Sequence, residues 1–212
     1  MSRLVPSEMS EFWQAVSRSE ENQTLKRYHI GPNTPEQCQI NADMSRKSMI
    51  EDPHEYWLKV KDESSGQIIA GSMWKIHPTV VPQVLDFEYP CTWFDDDAEK
   101  KRLVQEAWDQ AILVRRRLFT QPHIELVLIF TEPRYERRGA ASMMIQWGCD
   151  LADRMFLPVY VQSLRNRNSL YEKFGFEIRD DIEPVWYIMT REARVDPVEG
   201  GKEAVAVSSV EV

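Results

Sequence analysis

Apolar residues crowd together at Leu126-Val127-Leu128-Ile129-Phe130, a run of five that suits a strand buried on both faces. Beyond a turn, Met144, Ile145, Gly148, Leu151, Ala152 and Met155 recur at spacings of one, three and four. That period predicts a helix with a single apolar stripe. Leu157-Pro158-Val159-Tyr160-Val161 predicts the strand that follows, so 125–176 carries a β-turn-α-β unit.

The same reading extends to the rest of the chain. Pro6 and Ser7 open a helix on which Met9, Phe12, Trp13 and Val16 share a face, and a polar stretch over 17–26 closes it. Thr34-Pro35-Glu36-Gln37 starts a second helix, with Thr34 as N-cap and Pro35 at the first helical position; it ends before Pro53. Residues 56–61 alternate apolar and polar, and 67–76 forms the partner strand across a hairpin at Asp62-Glu63-Ser64-Ser65-Gly66. Asp97 caps a long helix whose Leu103, Ala107, Ala111, Val114 and Leu118 form one seam. Arg115-Arg116-Arg117 near its end complements the helix dipole. A short helix at 166–174 and a final strand at 185–189 complete the prediction. The expected organisation is a single domain over 1–192, followed by a disordered tail at 193–212.

Length and composition narrow the class. At 212 residues the chain is large enough for one well-filled core, and its apolar and charged fractions are ordinary. No apolar run reaches membrane-spanning length, and the first twenty residues hold no signal-like apolar segment. Cys38, Cys91 and Cys149 are odd in number and widely spaced, which argues for free thiols in a reducing, cytoplasmic setting and against a zinc site. A net charge of −8 argues against a nucleic-acid binder and leaves room for a cationic substrate. The irregular stretch 78–97, with Asp86, Phe87, Glu88, Tyr89 and Trp93, is either a cap over an amine pocket or a solvated insertion.

The chemistry concentrates in the turn between the central strand and its helix. Arg137-Arg138-Gly139-Ala140-Ala141-Ser142 combines two cations, a glycine and small residues at a helix start, the ordinary construction of a phosphate-binding turn. A nucleotide P-loop is excluded, because no Gly-Lys-Ser/Thr occurs. A dinucleotide fingerprint is excluded too, since Gly139 stands alone where three spaced glycines are needed.

These residues, with Thr131-x-Pro133-x-Tyr135, Trp147-Gly148, Leu151-Ala152-Asp153 and Leu170-Tyr171-x-Lys173-Phe174-Gly175-Phe176, resemble the GNAT superfamily of acyl-CoA-dependent N-acyltransferases, most of all its small fungal members. The family's Gln/Arg-x-x-Gly-x-Gly/Ala pattern falls on Glu136, Gly139 and Ala141, so a carboxylate stands where the pattern has Gln or Arg. The resemblance is strong over the last third of the folded chain and faint before it.

The resemblance implies an α/β fold: a mixed, mostly antiparallel central sheet flanked by helices, with the β-turn-α-β unit binding acyl-CoA. It implies acetyl-CoA as co-substrate, with the pantetheine arm along Ile129, Phe130 and Thr131 between two splayed strands. The pyrophosphate would lie on Glu136, Arg137, Arg138, Gly139, Ala140, Ala141 and Ser142. Tyr171 would protonate the departing thiolate. Glu132 would act as general base or steer a cationic amine, with a solvated loop carboxylate and an ordered water as the alternatives. Arg165 and Arg167 either contact the 3′-phosphate of CoA or face solvent, and Tyr28, His29 and Ile30 are either acceptor-pocket residues or plain surface and core residues. No metal is expected. The implied activity is N-acetylation of a small-molecule amine by direct transfer in a ternary complex. Its rivals are a non-catalytic acyl-CoA-binding or partner-binding relic, a protein N-acetyltransferase, and an O-acyltransferase.

Overall fold

The computed structural model describes residues 1–19, 30–81, 83, 86, 92–182 and 186–194. Seven strands form one sheet: β1 (Ser2–Arg3), β2 (Glu55–Lys61), β3 (Ile68–His77), β4 (His123–Thr131), β5 (Val159–Leu164), β6 (Glu177–Ile182) and β7 (Trp186–Arg191). Their spatial order is β1-β2-β3-β4-β5-β7-β6. Only β4 and β5 pair in parallel, joined by the predicted crossover helix; every other pairing is antiparallel. This is the mixed, mostly antiparallel sheet expected from the sequence.

The helices are α1 (Met9–Arg18), α2 (Pro35–Glu51), α3 (Ala98–Leu118), α4 (Ala140–Met155) and α5 (Asn168–Glu172). Their caps follow the local sequence. The Thr34 hydroxyl accepts from the Gln37 N–H, and the Asp97 carboxylate accepts from the Lys100 N–H. In α1, Met9, Phe12, Trp13 and Val16 are buried against Trp57, Ile68, Met73 and Phe130. Helix α4 lies on the opposite face. A Cβ at Gly71 would meet the Phe12 ring at 2.3 Å, and one at Gly148 would meet the Trp74 ring at 2.2 Å. Gly71 and Trp74 are three residues apart on β3, hence on opposite faces. Both helices pack as closely as they do because these two positions lack side chains.

Four expectations need correction. Strand β2 is buried on both faces instead of alternating, because it is flanked by β1 and β3 and covered by helices. The seam of α3 holds over Ala107, Ala111, Val114 and Leu118, which pack with Ile182, Trp186 and Ile188, but Leu103 is exposed and its neighbour Val104 is inside. The final strand runs Trp186–Arg191, and Val185 lies outside the described residues. Strand β6 was not predicted at all. Its sequence Glu-Ile-Arg-Asp-Asp-Ile is largely polar because it is an edge strand in which only Ile182 is buried. Of the expected tail, the Arg194 N–H is held by Asp153 Oδ1 at 2.6 Å, and residues from 195 onward lie outside the described residues.

Candidate active site

Two neighbouring strands begin together and then separate. β4 and β5 pair at only three positions, Ile124–Val159, Glu125–Tyr160 and Leu126–Val161. On the other side of β4, Trp74 is opposite Leu126 and Met73 is opposite Leu128, so Val127 is the extra residue of a β-bulge. From this bulge onward, β4 stays with β3 as far as Thr131–Ala70, while β5 stays with β7 as far as Leu164–Trp186. A wedge opens between them. This corrects the expectation of a strand buried on both faces, because Val127 is 47% exposed and Leu128 and Ile129 are half-buried.

The wedge presents backbone as well as side chains. The Glu132 N–H donates to the Ile69 carbonyl at 2.8 Å. Alternation along an antiparallel ladder then directs the N–H and C=O groups of Thr131 and Ile129 to the opposite edge, into the wedge. The Thr131 hydroxyl is buried and has no hydrogen-bond partner among the described residues. Phe130 faces the other way, its ring edge-on to Phe12 at 5.0 Å.

At the open end of the wedge the chain makes a tight turn. A 3-10 turn at Pro133–Tyr135 leads to Arg137 at φ +62 and Gly139 at φ +90. Left-handed backbone is uncommon for a residue with a side chain, so Arg137 stores strain in the turn, whereas Gly139 adopts it freely. Helix α4 begins immediately after, and no side chain caps it. The N–H groups of Ala140, Ala141 and Ser142 therefore stand as open donors at the positive end of a 16-residue helix. Ala140 anchors the turn by packing with Val60, Ile69, Ala70 and Met144. Arg137 and Arg138 are exposed, and the Arg138 guanidinium lies 5.3 Å from the centre of the Tyr135 ring.

Across the wedge, α5 carries Tyr171, buried with its ring edge-on to Phe176 at 5.7 Å. The turn through Gly175, at φ +87, lets the N–H groups of Phe174 and Phe176 both donate to the Tyr171 carbonyl. Burial pushes the Tyr171 phenol well above its ordinary range, and the nearby Arg167 charge opposes that only in part. The hydroxyl stays protonated across the neutral range, as an ordinary phenol does, and its burial makes it a weaker acid.

The two glutamates have clear positions. Glu132 is buried and bound by Arg18 of α1, with Nε at 2.8 Å and Nη2 at 2.7 Å from Oε1, so it is not a solvated loop carboxylate. Arg18 lies 114 residues upstream, and no sequence pattern announced the pairing. Glu136 is turned toward Arg167, whose Nη2 is 3.4 Å from Oε1. Arg165 instead faces the sheet edge, stacked on the Tyr187 ring at 4.7 Å and paired with Asp181.

Part of the expected acceptor region is also described. Ile30, Gly31, Pro32 and Asn33 line a small surface pocket with Trp13, Val16 and Cys38. Trp93 reaches this region: a Cβ on Gly31 would lie 3.0 Å from its ring. The loops at 30–33 and 92–94 therefore meet. Tyr28, His29, Phe87, Glu88 and Tyr89 lie outside the described residues. Among the described residues, no helix is long and apolar enough to cross a membrane.

Comparisons with known proteins agree on one family. The model of the Acetyltransferase (GNAT) family matches residues 13–176. A protein of Ajellomyces capsulatus described as "Probable acyltransferase SID5" is 38% identical over 42 residues, which is 20% of this chain and 31% of the relative. The chain thus matches about a third of that relative's length. Among solved structures, arylalkylamine N-acetyltransferase 2 from Aedes aegypti superposes with a TM-score of 0.60 at 13% identity, covering 91% of this chain and 98% of that one. The histone acetyltransferase HPA2 and related acetyltransferase from Corynebacterium glutamicum gives 0.55 at 14% identity, covering 93% and 99%. At these identities the likeness is one of fold.

Proposed function

Because the chain belongs to the GNAT acetyltransferase family, we propose that it is an acetyl-CoA-dependent N-acetyltransferase that modifies a small-molecule amine by direct transfer in a ternary complex. The observation that carries this reading is the wedge between β4 and β5, open at its end onto the uncapped N-terminus of α4. Its geometry suits each part of acetyl-CoA. A pantetheine arm is peptide-like, and the exposed backbone edge of Ile129 to Thr131 can pair with its amides as an added strand would. A pyrophosphate suits the N–H groups of Ala140, Ala141 and Ser142, with Arg137 and Arg138 supplying charge and Gly139 the close approach. The Thr131 hydroxyl, buried without a hydrogen-bond partner among the described residues, is a further free polar group beside the wedge.

In the reaction the amine nitrogen attacks the thioester carbonyl, a C–N bond forms and the C–S bond breaks. Tyr171 gives its proton to the departing sulfur. The proton lost by the amine passes to water, because the Glu132 carboxylate is occupied by Arg18. Glu132 is then a positioning residue that ties α1 to the end of β4. The Thr131 N–H, directed into the wedge, polarises the carbonyl. A small cationic acceptor fits the net charge of −8, the meeting of the 30–33 and 92–94 loops, and the arylalkylamine acceptor in the name of the Aedes aegypti protein. A cytoplasmic location fits the free thiols of Cys38 and Cys149.

The test is calorimetric titration with acetyl-CoA, beside 3′-dephospho-CoA and an Arg138→Glu variant, followed by a panel of amine acceptors. Saturable binding that the variant weakens, with turnover of an amine, is expected. Absence of binding would remove the acyl-CoA reading. Binding without turnover of any amine or alcohol would leave a non-catalytic module.

A further inference from the structure

The contact between Glu136 and Arg167 bridges the two arms of the wedge. Glu136 lies five residues beyond the end of β4, and Arg167 three beyond the end of β5. Among the described residues, these two side chains alone join the turn to the β5 arm by an ion pair, at 3.4 Å. Both are partly exposed, 36% for the Glu136 side chain and 57% for Arg167. An exposed single contact of this kind is weak and easily exchanged.

The other arginines near the wedge are placed differently. Arg165 is held by Asp181 and Tyr187 on β6 and β7. Arg138 lies over Tyr135 on the turn itself. Arg167 alone stands on the β5 arm facing the turn, at the N-cap of α5 and close enough to Tyr171 for its charge to act on the phenol. Its partner is also unusual: a carboxylate borders the donors at the start of α4, where an incoming phosphate would be repelled unless that carboxylate is neutralised.

Building on the acyl-CoA reading, we propose that Glu136 is a resident stand-in for phosphate, and that Arg167 exchanges it for the CoA pyrophosphate when acyl-CoA binds. Before binding, Arg167 neutralises Glu136 and holds the two arms together. A pyrophosphate carries more charge than a carboxylate and offers bidentate acceptors that match a guanidinium, so it takes Arg167 over. Arg167 then spans from the β5 arm to the ligand on the β4 arm, next to the proton donor. The released Glu136 is left beside the bound phosphate, which limits affinity. The device trades tight binding for release of the CoA product.

The exchange predicts opposite effects from the two halves of one ion pair. Glu136→Gln removes the competitor and the repulsion, so acetyl-CoA and 3′-dephospho-CoA should both bind roughly tenfold more tightly. Arg167→Gln should weaken both by roughly tenfold, an effect that fades at about 0.5 M salt. S-acetyl-pantetheine, which has no phosphate, should bind all three proteins equally. Melting temperatures report whether each variant is folded. If both variants weaken binding, or neither changes it, the pair is only a strap and the exchange is wrong. If 3′-dephospho-CoA loses the effect while acetyl-CoA keeps it, Arg167 serves the 3′-phosphate and the pyrophosphate assignment falls. If the wild type binds no acetyl-CoA at all, the acyl-CoA reading itself fails and takes the exchange with it.

Discussion

Arg18 closes on Glu132 from the last turn of α1, its Nε and Nη2 both within 2.8 Å of Oε1, while Nη2 also lies 3.4 Å from the Ile68 carbonyl. The carboxylate is 4% exposed and the guanidinium 42%. One contact thus joins α1, β3 and the residue that follows β4. Arg18→Ala would strand a buried carboxylate and should cost about 1–3 kcal/mol of stability. Glu132→Gln keeps an acceptor for Arg18 and should cost less, with the pH dependence of kcat unchanged. Chemical denaturation and a pH–rate profile check both. Loss of the low-pH limb in Glu132→Gln would instead identify Glu132 as the base.

Tyr171→Phe should lower kcat on the order of 100-fold, because it removes a proton donor and leaves the ring in place. Binding of acetyl-CoA and the melting temperature should stay as in the wild type, since Tyr171 packs through its ring. The raised phenol adds a second expectation. The residue acts in its protonated form, so activity should not begin to fall at the ordinary tyrosine range near pH 10 but further into alkali. An unchanged kcat in the Phe variant would reduce Tyr171 to a packing residue.

Much of the local structure around the candidate site was legible in the residues because its parts depend on near neighbours. The β-turn-α-β unit, the caps at Thr34 and Asp97, and the tight turn around Gly139 each depend on neighbours within a few positions. What escaped depends on pairing across the sheet. Nothing at Val127 marks a bulge; it arises from the register of β4 against β3. Strand β6 was missed because four of its six residues are charged, as an edge permits. The seam of α3 was misplaced only at its first position, because Leu103 and Val104 are adjacent apolar residues, and the cluster of Phe94, Trp93 and Trp108 takes Val104 inward.

Gly148→Ala sets two effects of opposite sign against each other. Alanine favours a helix by about 1 kcal/mol over glycine. Its Cβ, however, would meet three atoms of the buried Trp74 ring at 2.2–2.7 Å, which cannot move without disturbing the core. Overpacking of this kind costs about 1–3 kcal/mol, so net destabilisation is expected. Thermal unfolding gives the sign directly, and a more stable variant would mean that α4 can shift away from β3.

Three of the four histidines stand in a row, with His54 and His77 rings 4.9 Å apart and His77 and His123 rings 5.3 Å apart. His54 stands just before β2, His77 ends β3 and His123 opens β4. Burial is the largest reason that His77 resists protonation, and the charges of His123, His54 and Lys75 add to it against a small opposing effect of Asp52, so that its pKa falls to about 4. His123 is lowered too, by burial, although its Nδ1 lies 2.7 Å from the Gln121 carbonyl. A base that is harder to protonate in the native state than in the unfolded chain contributes stability above the unfolded value of 6.5. That stability is lost as pH falls from 6.5 toward 4. The loss should reach at most about 3 kcal/mol, and His77→Gln should flatten it. Denaturant midpoints at several values across this window provide the test. A wild type whose stability stays level there would show that the imidazoles accept protons as readily in the folded chain as in the unfolded one.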